Sequence, residues 1–234
     1  MIKAVIFDMF ETLVSLFDGS TYFSEDIAAN LGIEHALLRK AWHETEDDRT
    51  LGNMTVEEGI GETLKKLGIY SERSVDIVAG GRIATLEDTF RVVSEESISL
   101  LENLHNKGIL TGLISNCYSD EAKMIKNSLL YPLFDAVMLS YEQGVAKPDQ
   151  EIYYRIVKEL GVKTEECLYV GDGGSRELFT AREIGMHPVQ ALWYRYQMFE
   201  PHVPSPVFDE FMHAEKRADI IKLAEIIDEQ MFVL

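Results

Sequence analysis

Residues 5–14 read VIFDMFETLV, and the fold turns on how that stretch is parsed. The run 3–8, KAVIFD, is apolar without alternation and stops abruptly at Asp8, as a strand does when both faces of a parallel sheet are covered. A carboxylate at the end of such a strand is placed like a nucleophile. Two residues on, where a second acid would be useful, stands Phe10, followed by Glu11.

Outward from this strand the pattern changes twice. From about 16 to 92 the chain reads as helix only. YFSEDIAANLG (22–32), EHALLRKAWHETEDD (34–48), TVEEGIGETLKKLG (55–68) and SVDIVAGGRIATLEDTF (74–90) repeat apolar residues at three- and four-residue steps. Gly32, Gly52, Asn53 and Gly68 punctuate them, and Thr55 with Glu57 and Glu58 marks a helix start. After 93, helix and strand alternate. Ser94 caps a helix that Gly108 stops, and strands follow at 109–115, 134–140, 167–172 and 187–193. Between them lie helices at 119–130, at 147–161 with Pro148 in its first turn, and at 175–185. The proline-punctuated stretch 199–210 reads as loop and 218–230 as an amphipathic helix. Repeated strand–helix units imply an α/β fold with a Rossmann-like parallel sheet. The expected division is a core of residues 1–15 and 93–234, with a small all-helical domain, 16–92, inserted after the first strand.

The chain of 234 residues carries 40 acidic and 22 basic side chains, a net charge of −18. That balance argues against nucleic acid or an anionic membrane as partner. An anionic substrate would need a local cation or a metal to overcome it. No run of about 18 apolar residues suggests a membrane span. MIKAVIF lacks the features of a signal peptide, and Cys117 and Cys167 read as buried free thiols. The expectation is a cytoplasmic monomer or homodimer.

Ligands of open parallel sheets bind outside the carboxyl ends of the strands. The first strand delivers Asp8 and Thr12 there, the second Ser115 and Asn116, the segment after the third Lys147, and the fourth Asp172 with Glu177 five residues on. Taken singly, each has an ordinary reading as turn, cap or helix start. Their succession, each after a strand, is what points to chemistry.

The ordered motifs FDMFETL, LISN, GVAKPDQEIY and YVGDGGSRE resemble those of the haloacid dehalogenase-like (HAD) hydrolase superfamily, and the helical block resembles its subfamily I cap. The resemblance spans essentially the whole chain. It implies a phosphatase that acts on a small phosphorylated metabolite, with Asp8 as the nucleophile that becomes an aspartyl-phosphate. Ser115, Thr12 and Asn116 would contact the phosphoryl group, and Lys147 would neutralise charge on it. Mg²⁺ would be held by Asp8, the main-chain carbonyl of Phe10 and Asp172, with Glu177 joining through water.

The sequence departs from that pattern at Phe10, where family phosphatases carry the acid that protonates the leaving group, help worth 10²- to 10⁴-fold in typical cases. Glu11 is adjacent, but neighbouring residues of an extended segment point opposite ways, so a solvated or turn role is expected for it. Haloacid dehalogenases share the aromatic at this position and the Ser–Asn pair, and they need no metal. The Gly–Asp pattern at 171–172, followed by Glu177, favours the metal-dependent phosphoryl reading. Two alternatives stay open: a metal-independent 2-haloacid dehalogenase, and a catalytically weakened HAD-fold binding protein. Phosphonate-cleaving relatives use a cap lysine, whereas Lys40, Lys65 and Lys66 read as helix surface. Arg39 and Arg49 read as surface ion-pair residues, Trp42–His43 as a packing face, and WYRYQMFEPH (193–202) as core or interface.

Overall fold

A computed structural model of the chain describes residues 1–199 and 201–232. Its centre is a six-stranded, all-parallel sheet in the order β3-β2-β1-β4-β5-β6. The strands are β1 (Ala4–Phe7), β2 (Leu110–Ser115), β3 (Ala136–Leu139), β4 (Cys167–Gly171), β5 (His187–Ala191) and β6 (Met212–Ala214). β1 lies centrally, with Phe7 registered on Leu113 of β2 and on Val170 of β4. The nucleophile candidate, the Ser–Asn pair and the Gly–Asp turn therefore leave the sheet side by side.

Five helices fill the interval after β1: α1 (Ser24–Leu31), α2 (His35–His43), α3 (Glu46–Thr50), α4 (Val56–Lys66) and α5 (Glu72–Arg91). Then come α6 (Glu95–Asn106), α7 (Ser119–Asn127), α8 (Ser140–Gln143), α9 (Gln150–Leu160), α10 (Glu177–Glu183) and α11 (Asp219–Phe232). Strand alternation sends side chains to two separate cores. Val5 and Phe7 of β1, with Leu168 and Val170 of β4, pack with α6 and α11. Ala4, Ile6, Cys167 and Tyr169 pack on the other face with Ile152, Tyr153 and Ile156 of α9 and Leu178 of α10. Each fully buried aliphatic or aromatic side chain contributes about 1.5–3 kcal/mol. The helical segment has its own apolar cluster, built on Ile27, Leu38, Val56, Ile60, Leu64 and Val78. The far end of α5 crosses over, and its Leu86 and Phe90 join the sheet's core.

Caps fall where the side chains predict. Thr55 accepts from the Glu58 amide while Glu58 accepts from the Thr55 amide, and the Ser94 hydroxyl accepts from the Glu96 amide. Four differences from the sequence reading stand out. The helix expected over 34–48 breaks at Glu44–Thr45 into α2 and α3, where the Thr45 hydroxyl bonds back to the Trp42 carbonyl. The helix expected from Lys147 starts at Gln150, capped by Asp149, and Lys147–Pro148 is a cis peptide outside it. The strand expected over 134–140 spans only 136–139 and runs straight into α8. A sixth strand, β6, follows the proline-rich loop, too short to show a periodic pattern. No helix among the described residues is long and apolar enough to cross a membrane.

Candidate active site

Asp8 takes its backbone position from β4, since its amide donates to the Val170 carbonyl at 2.9 Å. Its carboxylate is nearly buried and meets the Lys147 ammonium, Nζ to Oδ1, at 2.5 Å. The same Nζ reaches Glu177 Oε2 at 2.5 Å, so one cation bridges two carboxylates. Asn116 holds the backbone that carries the lysine: its amide nitrogen donates to the Lys147 carbonyl and its oxygen accepts from the Lys147 amide, each at 2.8 Å.

Asp172 completes the cluster. Single oxygens of Asp8, Asp172 and Glu177 lie within 4.8 Å of one another. Asp172 is aimed by the Gly174 amide and the Ser205 hydroxyl, both at 2.9 Å, while its carbonyl accepts from Gln190 Nε2. Glu177 is turned inward: Tyr169 donates to Oε2 at 2.9 Å and the Gly173 amide to Oε1 at 3.1 Å. Gly171 makes this possible, because a Cβ there would sit 2.0 Å from Glu177 Oε1. The turn itself needs Gly173, whose φ is 104° and whose absent side chain leaves room for the Phe208 ring.

The electrostatics follow from three carboxylates facing one ammonium. Burial, opposed by Lys147 and reinforced by Asp172, raises the Asp8 carboxyl above its ordinary range. Burial likewise pushes Glu177 up to about 8, with Lys147 pulling the other way and Asp8 and Asp172 adding to the rise. Burial works against the charged form of Lys147, but Asp8 and Glu177 outweigh it and hold the ammonium well above the usual lysine range. With all three carboxylates ionised, the cluster is short of positive charge. An oxygen-only donor set with that deficit fits a hard divalent cation such as Mg²⁺.

The remaining candidates divide. Ser115 is fully buried at the end of β2, and among the described residues its hydroxyl makes only a long 3.5 Å contact, to the Asn116 carbonyl. Thr12 is buried with a hydroxyl that finds no partner among the described residues, while its carbonyl accepts from Trp193 Nε1 at 2.8 Å. Phe10 packs edge-on against Phe90, ring centroids 6.2 Å apart. Glu11 takes a turn role: at φ 55° it folds back to accept from the Ser15 hydroxyl and the Leu16 amide. Burial, followed by the fields of Asp172 and Asp8, pushes it up to about 7 despite those bonds.

Outside the site, one expectation is overturned. Arg49 is fully buried, not a surface ion-pair residue, and its guanidinium stacks 3.4 Å from the Trp42 ring centroid and 4.5 Å from that of Tyr118. Arg39 is exposed and pairs with no carboxylate among the described residues. Of the 193–202 stretch, Trp193 and Tyr194 brace the nucleophile loop through the Thr12 and Leu13 carbonyls, Tyr196 is exposed, and Glu200 lies outside the described residues. Sequence reasoning missed Tyr169, Gln190 and Ser205, the side chains that orient Glu177 and Asp172. Tyr169 alone left a signal, a hydroxyl in an otherwise apolar strand two residues before the Gly–Asp pair.

The haloacid dehalogenase-like hydrolase family model matches residues 2–185, and the chain belongs to that family of hydrolases. Among curated proteins it is similar to a glyceraldehyde 3-phosphate phosphatase of Methanopyrus kandleri, 28% identical across 95% of this chain and 98% of that one. Its fold is similar to that of a 2-haloacid dehalogenase from Pseudomonas syringae pv. tomato, with TM-score 0.69, 18% identity and coverage of 96% and 99% of the two chains. It is also similar to a HAD family enzyme from Bacteroides thetaiotaomicron in complex with magnesium and inorganic phosphate, with TM-score 0.58, 20% identity and coverage of 82% and 94%.

Proposed function

We propose that this hydrolase is a Mg²⁺-dependent phosphatase of a small phosphorylated metabolite, with Asp8 as nucleophile. The observation that carries this reading is the cluster of Asp8, Asp172 and Glu177 around a single lysine. A dehalogenase attacking carbon has no use for the excess carboxylate charge, whereas a phosphatase uses it to recruit a metal. The relative named for glyceraldehyde 3-phosphate supports a substrate of triose size. The two free cysteines, both buried, support a cytoplasmic location.

Asp8, Asp172 and the Phe10 carbonyl would hold the ion. Glu177, whose oxygens are taken by Lys147, Tyr169 and Gly173, would reach it only through water. When bound, Mg²⁺ supplies Lewis-acid polarisation and charge neutralisation at the phosphoryl oxygens. Asp8 attacks phosphorus, the bond to the leaving oxygen breaks, and an aspartyl-phosphate forms that water then hydrolyses. Lys147 balances the charge that builds on the transferring oxygens. The unpartnered Thr12 hydroxyl and that of Ser115 are donors left over for the phosphoryl group, and Asn116 keeps Lys147 in place. Residues 16–92 act as the cap over the core formed by 1–15 and 93–234. With Phe10 packed on Phe90, no side chain at that position protonates the leaving group. Esters with good leaving groups should therefore be the better substrates.

The test is hydrolysis of acetyl phosphate and p-nitrophenyl phosphate by wild type and Asp8→Asn, with Mg²⁺ and with EDTA. Turnover that both EDTA and Asp8→Asn abolish is expected. Chloride release from 2-chloropropionate without metal would overturn the reading.

A further inference from the structure

The cavity that reaches Lys147 measures about 450 Å³ and lies between the sheet edge and α3. Phe10, Asn116 and Ser175 line it from the core, and Glu46, Asp47 and Thr50 from the helical segment. Lys147 is its one basic side chain among the described residues, and that ammonium is already shared between Asp8 and Glu177. Of the carboxylates on the wall, Glu121 is paired with Arg82 at 3.0 Å and Glu46 is hydrogen-bonded to the His43 ring at 2.5 Å. Asp47 has neither an ion pair nor a side-chain hydrogen bond among the described residues, and neither do the hydroxyls of Thr50 and Ser175. No Lys or Arg of the helical segment lines this cavity among the described residues. Arg39, Lys40 and Arg82 line a second cavity of about 620 Å³, on the far side of Tyr118 and Glu46.

The first cavity meets Asp8 through Lys147, with Phe10 and Asn116 beside it. We propose that the leaving group of a substrate whose phosphoryl group sits at Asp8 lies in this cavity, that it is uncharged and hydroxyl-bearing, and that Asp47, an exposed carboxylate on the wall, is the specificity residue that turns anionic leaving groups away. The proposal rests on the phosphatase reading and adds the substrate class to it. The free hydroxyls and the Asp47 carboxylate can accept hydrogen bonds from a polyol. A second anionic group beyond the phosphate would find no cation there and would face the unmatched Asp47. At a partly solvated distance of several ångströms that repulsion amounts to about tenfold in affinity, and it weakens with salt.

The experiment pairs glycerol 3-phosphate, with an uncharged leaving group, against 3-phosphoglycerate, whose leaving group carries a carboxylate. Binding of both is measured by calorimetry on Asp8→Asn with Mg²⁺, and kcat/KM on the wild type. Glycerol 3-phosphate should win by about tenfold at low salt and by less at 0.5 M salt. Adding Asp47→Asn should bring the ratio close to one, and Asp47→Lys should invert it. Asp48→Asn, on the same helix but bonded instead to Asn53, should leave it unchanged. Equal binding of the two esters, no binding of either, or an Asp47→Lys variant with the original ratio would overturn the proposal. If the binding preference holds while the wild type hydrolyses neither ester, nor acetyl phosphate with Mg²⁺, the specificity stands and the phosphatase reading fails.

Discussion

Lys147 and Arg49 are both cut off from solvent, one at the sheet edge and one in the helical segment, yet each is accommodated differently. Lys147 touches two carboxylates at 2.5 Å. Arg49 has no carboxylate within ion-pair distance among the described residues; its Nη2 donates to the Trp42 carbonyl and, at 3.5 Å, to the Tyr118 hydroxyl, while Nε and Nη1 find no hydrogen-bond partner among them. Two aromatic faces take the place of a counter-ion. A buried cation held by carboxylates is electrostatically indispensable, because removing it strands charge. One held by rings fills space and can be exchanged for something of the same shape.

The same substitution at both places breaks this comparison most directly. Lys147→Met leaves Asp8 and Glu177 facing each other without a cation. It should cost about 3–5 kcal/mol at pH 7 and lower hydrolysis of acetyl phosphate by about 10³-fold or more. The deficit should shrink as pH falls. Glu177 has its folded-state value raised from 4.5 to about 8 even beside Lys147. Its favourable contribution is fully present below 4.5 and is lost as pH rises through about 8 in the wild type; without Lys147, which pulls the value down, the loss runs further, so the gap to wild type narrows near pH 5. Urea unfolding at pH 5 and pH 7 measures both. A variant as stable as wild type at pH 7 would show that the network carries less charge than its geometry implies.

Gly171→Ala probes the same network from behind. A methyl group 2.0 Å from Glu177 Oε1 must displace that carboxylate, and with it the anchor of Lys147. Overpacking of this kind costs about 1–3 kcal/mol, and loss of lysine positioning should lower kcat more than it raises KM. A change in KM alone would mean that Glu177 moves without consequence for the reaction.

How much of this was visible beforehand follows the same divide. Asp8, Ser115, Asn116, Lys147 and Asp172 were legible because each ends or follows a strand, and register in a parallel sheet carries them to one edge. The supports were not. Ser205 and Gln190 meet Asp172 from remote parts of the chain, and nothing local in either stretch encodes the meeting. Arg49 was misread because Glu46, Asp47 and Asp48 precede it, while its actual neighbours are rings at 42 and 118. The stop of α2 at His43 was hidden by Thr45, which has ordinary helix propensity but bonds backward here.

At Arg49 the comparison is sharpened by two variants. Arg49→Ala removes the side chain that fills the space over Gly59, where a Cβ would approach Arg49 Cδ to 2.4 Å. It should destabilise by about 2–5 kcal/mol. Arg49→Met keeps the stem and removes two unpaired donors, so its cost should stay below about 1.5 kcal/mol. If Met proves as damaging as Ala, the ring–cation attraction rather than volume holds the cluster.

The smallest expected signal is a near-null one, at the seam between the two regions. Cys117 lines the cavity between the sheet edge and α3 but is only 2% exposed, and burial pushes its thiol from 9.0 up to about 12. Cys167, at the start of β4, is likewise pushed up to about 12 by burial. Since the thiolate is the reactive form, native protein at pH 8 should react with iodoacetamide at least about 100-fold more slowly than unfolded protein. Both thiols should behave alike as long as the helical segment stays seated on the core. Faster labelling of Cys117 than of Cys167, suppressed by Mg²⁺ with phosphate, would show that the seam opens and that ligand closes it. Equal protection in every condition would mean that the cavity walls are rigid and that ligand enters without separating them.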